Sequence, residues 1–324
     1  MQCVRNRSGS AKIATSCITS IQQVIKHDTK YGTHTDYFGK LPKKKIIVEF
    51  SSPNIAKQFH VGHYRSTVIG HVISNLLQSA GHDVVRMNYL GDWGLQFAYV
   101  FLGCTTRFRA ESYKEKLLTV ADMNEAYVNG CSKFDKNEAL EVFDRMERND
   151  PLLLAFWSHC RDLSVAEYEK FYSRLGVRFD EYSGESLYRD SAEVLAERYE
   201  GLVERGEGKS LQVDVSNSEW VKGAKRHPGK ISLSRPNGTS LYITRDMMAA
   251  VERYKKFKFD EMIYVTDSSQ KSHFSNLFAA MEALKHDFAS FERQQLKHVS
   301  FGRVRGMKSR EGKVFFCYFI FFKY

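Results

Sequence analysis

Residues 49–63 read EFSSPNIAKQFHVGH. The stretch follows a run of β-branched residues and precedes a long helical pattern, yet its two histidines, proline, asparagine and lysine suit neither element. It reads as the loop from the end of a buried strand to the start of a helix. In open α/β sheets ligands collect at that junction, because a helix N-terminus offers unpaired amides and the positive end of its dipole, and phosphate is the ligand it suits best.

Outward from the loop, KKKIIVEF (43–50) is a short apolar run bounded by charge and by Ser-Ser-Pro, as a central parallel strand is. On the other side, Val68, Ile69, Val72, Ile73, Leu76 and Leu77 recur at helical spacing as far as Gly81, which stops the helix, and HDVVRMNYL (82–90) returns as a strand. That is one βαβ unit. From about Thr105 to Glu207 helical patterns dominate, most clearly EALEVFDRMERNDPLLLAFWSHCRDLSVAEYEKFYSRLG (138–176). Then SLQVDVS (210–216), TSLYITRDMMAAVERYKKF (239–257) and DEMIYVTDSSQKSHFSNLFAAMEAL (260–284) read as strand, strand-to-helix and strand-to-helix, a second α/β half that closes the sheet. The expected fold is α/β, a Rossmann-like parallel-sheet domain split by a largely helical insertion.

The 324 residues, 43% of them hydrophobic, can bury one full core with room for an insertion or a second domain. The formal charge of +10 suits a polyanionic partner such as nucleic acid, although a basic surface also arises from solubility alone. Six cysteines, at 3, 17, 104, 131, 160 and 317, show no C-x-x-C pairing; they read as packing residues of a reducing compartment without structural zinc. No apolar run reaches the ~20 residues of a membrane helix, and VFFCYFIFFKY at the end is too short to span. Up to about residue 27 the chain carries Arg5, Arg7, Lys12 and Lys26 among Ser and Thr, the composition of a mitochondrial presequence, but SCITSIQQVIKH (16–27) also reads as the last helix of a small domain.

His60 and His63 stand three apart at the helix start, so on a formed first turn they share one face. Neutral imidazoles there can donate to phosphate oxygens, and Gly62 between them lets a nucleotide approach the backbone. By spacing alone, a metal site or ordinary surface explains the pair better than phosphate binding does. The whole string is more specific. The blocks EFSSPNIAKQFHVGHYRSTVIGHVISNLLQSAGHDVVRMNYLGDWGLQF, FDEYSGESLYRD, GTSLYITRDMMAAVERYKKFKFDEMIYVTDSSQKSHF and HVSFGRVRGMKSREGKVFF, in this order, resemble the arginyl-tRNA synthetases, class I enzymes whose HIGH element stands here as HVGH. The resemblance covers roughly residues 43–316 and is nearest to mitochondrial forms.

The resemblance implies a class I synthetase-type catalytic domain with 43–104 as its first half, 105–207 as insertion and 208–316 as second half. It implies arginine recognition by Glu49, Asn54, Tyr242, Asp246 and Gln270, carboxylates being the forked acceptors a guanidinium needs. Singly, each has a plain structural explanation; in the family's order they point to a pocket. It further implies ATP, brought with Mg2+ as a substrate complex and with no metal held by the protein, acted on by His60, His63 and Lys57, the lysine standing in for the second lysine of the class I KMSKS loop. That mobile loop corresponds to GMKSREG (306–312), with Met307, Lys308, Ser309 and Arg310 facing pyrophosphate together with Gly62, and Glu311 departing from the expected pattern. The partners implied are arginine, ATP and tRNA(Arg), without a membrane; oligomeric state is open, with a monomer as default. Residues 1–42 resemble a remnant of an N-terminal tRNA-contacting domain, 317–324 an aberrant apolar tail, and an anticodon-binding domain is not seen in the chain. Three readings follow: the catalytic core of an arginine–tRNA ligase, mitochondrial or else cytoplasmic; a non-catalytic fragment keeping ligand or weak RNA binding; and a nucleotidyltransferase acting without tRNA.

Overall fold

The computed structural model describes residues 22, 24–26, 42–107, 112–189, 191–222, 229–236, 238–290 and 293–302. Strand β1 (Lys45–Glu49) leads through the 50–60 loop into helix α1 (Val61–Ser79) and back to β2 (Asp83–Leu90). Helices α2 (Leu95–Thr105), α3 (Tyr113–Lys116), α4 (Val120–Lys133), α5 (Lys136–Glu147) and α6 (Pro151–Leu175) follow, then β3 (Glu181–Gly184) and α7 (Ser191–Arg198). Short strands β4 (Val203–Arg205), β5 (Leu211–Asp214) and β6 (Lys230–Ser232) precede α8 (Tyr242–Phe257), β7 (Glu261–Asp267), α9 (Lys271–Ala283) and β8 (Leu296–Phe301). Among the described residues β3-β2-β1-β7-β8 form one parallel sheet and β4-β5-β6 a separate antiparallel one. The parallel strand order reverses between β1 and β7, so the crevice for a ligand lies beyond their carboxyl ends.

Strand β1 shows why the sheet is covered on both sides. Ile46, Val48 and Phe50 enter one buried cluster with α2, α5 and α6, whereas Ile47 enters the other with α8 and α9. Strand β7 divides likewise, with Ile263 and Val265 on the first side and Met262 and Tyr264 on the second. The two-residue period sends successive side chains to opposite faces, and both are dry.

Helix α1 starts and stops where the periodicity places it, but its buried stripe is not the apolar one. His63, Ser66, Thr67, Gly70 and Ser74 face inward, while Val72 and Leu76 are exposed. Small residues let the helix approach the sheet closely, and the hydroxyls pair with backbone: Ser66 donates to the Val265 carbonyl (2.7 Å) and Thr67 to that of His63 (2.7 Å). At Gly70 a β-carbon would lie 2.2 Å from Phe50 Cβ.

Two expected strands fall elsewhere. SLQVDVS supplies β5 of the small antiparallel sheet, and TSLYIT forms no strand, since only a bridge joins Ser234 to Ser240 and α8 already begins at Tyr242. A turn of helix and a strand compete over such a short apolar run, and the amphipathic repeat continuing to Phe257 decides it. Within 105–207, β3 joins the main sheet beside β2; as a four-residue, largely polar edge strand it carries no apolar run. Of the cysteines, Cys104 and Cys160 are buried but Cys131 is exposed, so it is no packing residue. Cys3, Cys17 and Cys317 lie outside the described residues, as does the 317–324 tail.

Gly70→Ala pits about 1 kcal/mol of helix propensity against a clash with a side chain anchored at its own Cβ. The clash is the larger, and a net loss of about 1–3 kcal/mol is expected by denaturant unfolding; a midpoint equal to the parent's would contradict this packing.

Candidate active site

The 50–60 loop ends on His60, the N-cap of α1. His60 Nδ1 accepts the N–H groups of Gly62 (3.1 Å) and His63 (3.3 Å), and His63 Nδ1 lies 3.5 Å from the His60 N–H. Two histidines thus form the capping box ordinarily built from Ser or Thr with Glu, and their rings stack at 3.6 Å. Because each Nδ1 is an acceptor, the proton of each neutral ring sits on Nε2. Burial, then the Lys57 charge, pushes His60 down to about 4; burial and the neighbouring His60 hold His63 well below the usual range. Both are neutral donors at pH 7. A β-carbon at Gly62 would fall 2.8 Å from His60 Cε1, so the cap itself requires glycine there.

These residues line a crevice of about 490 Å³ at the ends of β1 and β7. The same crevice gathers Glu49 and Asn54 with Tyr242, Asp246 and Gln270 from the far part of the chain. Helix α8 brings Tyr242, Asp246 and Arg253 to one face by their spacings of four and seven. Lys57 is not among the lining residues; its carbonyl lies 2.5 Å from the Tyr168 hydroxyl. Met307, Lys308, Ser309 and Arg310 lie outside the described residues.

Glu49 differs from the expectation of a carboxylate reserved for a ligand. It is buried, and its Oε2 receives the Arg253 guanidinium at 2.5 Å. Burial raises its carboxyl and Arg253 opposes the rise. Arg253 in turn lies over the Tyr89 ring at 4.6 Å. Asp246 Oδ2 accepts from His273 Nε2 at 2.7 Å, and the His273 ring lies 4.9 Å from that of Tyr242. Glu185, which the sequence reading passed over, also faces the crevice; its Oε2 takes Arg245 Nε and Nη2, both at 3.0 Å. Burial pushes Glu185 up to about 7 against Arg245. Glu185 sits in the FDEYSGESLYRD block, so its block was visible and its role was not. Arg253 and His273 belong likewise to recognised blocks, but only packing shows which carboxylate each one holds.

One oxygen of each of three carboxyl groups is therefore tied to a cation or ring N–H, which fixes the plane of the acceptor before any ligand arrives. Among the described residues, four acidic side chains, Asp267 included, line the crevice against the one guanidinium of Arg253. One end suits a cation; the other, with two Nε2–H donors at a helix N-terminus, suits phosphate. Among the described residues no group of three or more His, Cys, Asp or Glu is placed to hold a metal ion, and no helix is long and apolar enough to cross a membrane.

The neutral histidine pair sets a pH dependence. Each ring binds its proton less readily folded than unfolded, so below pH ~6.5 the unfolded chain takes up more protons and stability falls toward pH 4, by up to about 1.4 kcal/mol per pH unit for each ring. His60→Asn keeps an N-cap acceptor but does not titrate. Urea unfolding between pH 7 and 4.5 is expected to show a shallower loss in His60→Asn than in the parent; equal slopes would remove His60 as a source.

A family profile for the catalytic domain of class I tRNA synthetases (R) matches residues 20–320. The chain is 45% identical over 308 residues to a probable mitochondrial arginine–tRNA ligase of Bos taurus, covering 92% of this chain and 51% of that protein. It is 37% identical over 290 residues to the cytoplasmic arginine–tRNA ligase of Saccharomyces cerevisiae, 84% of this chain and 45% of that one. The chain spans about half the length of the curated relatives it matches. Among solved structures, the arginyl-tRNA synthetase of Plasmodium falciparum superposes with a TM-score of 0.65 at 26% identity over 85% of this chain and 45% of that one.

Proposed function

This chain belongs to the class I arginyl-tRNA synthetase catalytic-domain family, and from that premise we propose that it activates arginine with ATP and passes the arginyl group to tRNA(Arg). The observation that supports this most directly is a single crevice with preset carboxylates at one end and two neutral histidines at a helix N-terminus at the other. In this reading Asp246 and Glu185 take the guanidinium and Tyr242 flanks it. Glu49 has a smaller part, since its Oε2 is committed to Arg253. Asn54 and Gln270 hold polar atoms of the amino acid.

The arginine carboxylate oxygen attacks the α-phosphorus of ATP; the new O–P bond forms as the bond to pyrophosphate breaks, and Mg2+ leaves with pyrophosphate. Nothing on the protein is bonded covalently. His60 and His63 donate from Nε2 to oxygens on which charge develops, a contribution worth most in the transition state. Lys57 and the 306–312 loop, with Met307, Lys308, Ser309 and Arg310, attend the departing phosphates. A ribose hydroxyl at the tRNA 3′ end then attacks the arginyl carbonyl and AMP leaves. Residues 105–207 act as the insertion between the two halves of the domain, and a mitochondrial location fits the first relatives, which carry that designation.

Asp246→Asn is expected to weaken arginine binding by about 1.5–3 kcal/mol with little change for an ATP analogue; calorimetry giving equal losses for both would mean damage to the fold. Alanine at His60 or His63 is expected to cut single-turnover adenylate formation about 10²–10³-fold, with tRNA present and a small change in apparent ATP affinity. A near-normal rate in the double variant would remove their role.

Glu185 adds a pH signature. Its carboxyl, poised near 7, is charged above that value, so arginine binding should tighten from pH 6 to 8 and lose the dependence in Glu185→Gln. A flat profile in the parent would exclude Glu185 from the guanidinium site.

A further inference from the structure

The loop from Ser51 to Lys57 holds three non-glycine residues in the left-handed region: Ser51 (φ 67°), Ser52 (φ 43°) and Ala56 (φ 62°). Backbone of that kind persists only where the surroundings over-determine it. The loop is restrained by backbone pairing of Pro53 and Ile55 with Gly91, by Ser66, Thr67 and Asn88, and by three side chains of one helix. Ser164, Tyr168 and Tyr172 are spaced four apart on α6, on one face, and all three are buried. Ser164 Oγ accepts the Ala56 N–H at 3.0 Å. The Tyr168 hydroxyl is within donating distance of two carbonyls, Asn54 (3.0 Å) and Lys57 (2.5 Å). The Tyr172 hydroxyl lies 2.7 Å from Ser51 Oγ and accepts from Asn88 Nδ2 at 3.1 Å. Phe59, next to His60, stacks on Phe171 at 4.8 Å and meets the Tyr168 and Tyr172 rings.

The two carbonyls beside the Tyr168 hydroxyl belong to Asn54 and Lys57, to which the reading above gives substrate and phosphate. Tyr168 itself is 1% exposed and does not line the crevice, so its influence on a ligand is indirect. We propose that Tyr168 is a positioning residue for the activation step: from α6 its hydroxyl sets the course of the 54–57 backbone, and with it the directions in which Asn54 and Lys57 are presented and the approach of the chain to His60. A helix of the inserted block would then do more than fill a core, since removing one hydroxyl from it should act on chemistry in the crevice. The inference rests on the proposed arginine-activating function.

The test is Tyr168→Phe in the full chain, which removes one oxygen and leaves the ring packing, with Tyr113→Phe as a second buried tyrosine whose hydroxyl is remote from the loop. Hydrogen exchange of peptides covering 51–58 is measured beside the rate of arginine-dependent, tRNA-stimulated pyrophosphate exchange. In Tyr168→Phe, exchange at 51–58 is expected to quicken at least ~10-fold with β1 and α9 unchanged. The kcat should fall about 10–100-fold with the ATP KM within ~3-fold, the pattern of a misplaced but still bound substrate. Tyr113→Phe should match the parent in both. Unchanged exchange at 51–58, or a quickening spread equally over β1 and α6, overturns the proposal, as does an unaltered kcat in an active parent. A parent without pyrophosphate exchange would instead sink the proposed function, and the hydrogen-exchange comparison would still decide whether Tyr168 holds the loop.

Discussion

The constraint on which the rest of this molecule depends is a buried loop that cannot satisfy itself. Between β1 and α1 the chain must leave the sheet, pass against α6 and arrive at an N-cap, and three of its residues do so at positive φ without being glycine. At about 1–2 kcal/mol each for L-residues, that geometry is sustained only by partners outside the loop. They come from three elements: Ser66 of α1 takes the Ser51 N–H (3.0 Å), Asn88 of β2 takes the Ser52 N–H (3.1 Å), and Ser164 of α6 takes that of Ala56 (3.0 Å). Remove Ser66 or Ser164 and a buried amide loses its partner, which costs more than the bond contributes, whereas the Ser52 N–H also reaches the Phe50 carbonyl at 2.9 Å.

The loop after β2 shows the same dependence. Asp92 is fully buried, and its carboxylate accepts the Ser186 N–H at 2.8 Å and Arg161 Nε at 3.0 Å, while Trp157 Nε1 donates to its carbonyl at 2.5 Å. Trp157 and Arg161 stand two turns and one turn before Ser164 on α6. One face of a single helix is thus fastened to both loops that rim the crevice, and through Ser186 to the segment that carries Glu185. The polar atoms on that face are in the interior because the loops they serve are interior.

The crevice also separates local from global electrostatics. The chain carries a formal charge of +10, yet its crevice is acidic, and each of three carboxyl groups has one oxygen fastened by Arg253, His273 or Arg245. Carboxyl groups arranged in this way have their planes fixed before a ligand arrives. A cation entering such a crevice meets acceptors whose orientation is already set.

The linear sequence by itself determined the parallel α/β class, the βαβ unit around EFSSPNIAKQFHVGH, the helices between β2 and β3 and a family resemblance strong enough to propose site residues. Those features are written in short-range periodicity, in Gly and Pro stops and in ordered motif blocks, all of which are local. The tertiary structure alone decided that α1 buries Ser66, Thr67 and Gly70 rather than Val72 and Leu76, that SLQVDVS joins a separate sheet, that Glu49 is paired with Arg253 and that Glu185 joins the crevice. Each of these turns on which side chain lies within 3 Å of which carbonyl or carboxylate across separations as long as the 204 residues between Glu49 and Arg253. No window of sequence contains that distance. The histidine pair lies between the two cases: its spacing was legible at once, but its neutrality follows from burial and from two backbone amides that point at Nδ1 only when the helix is packed.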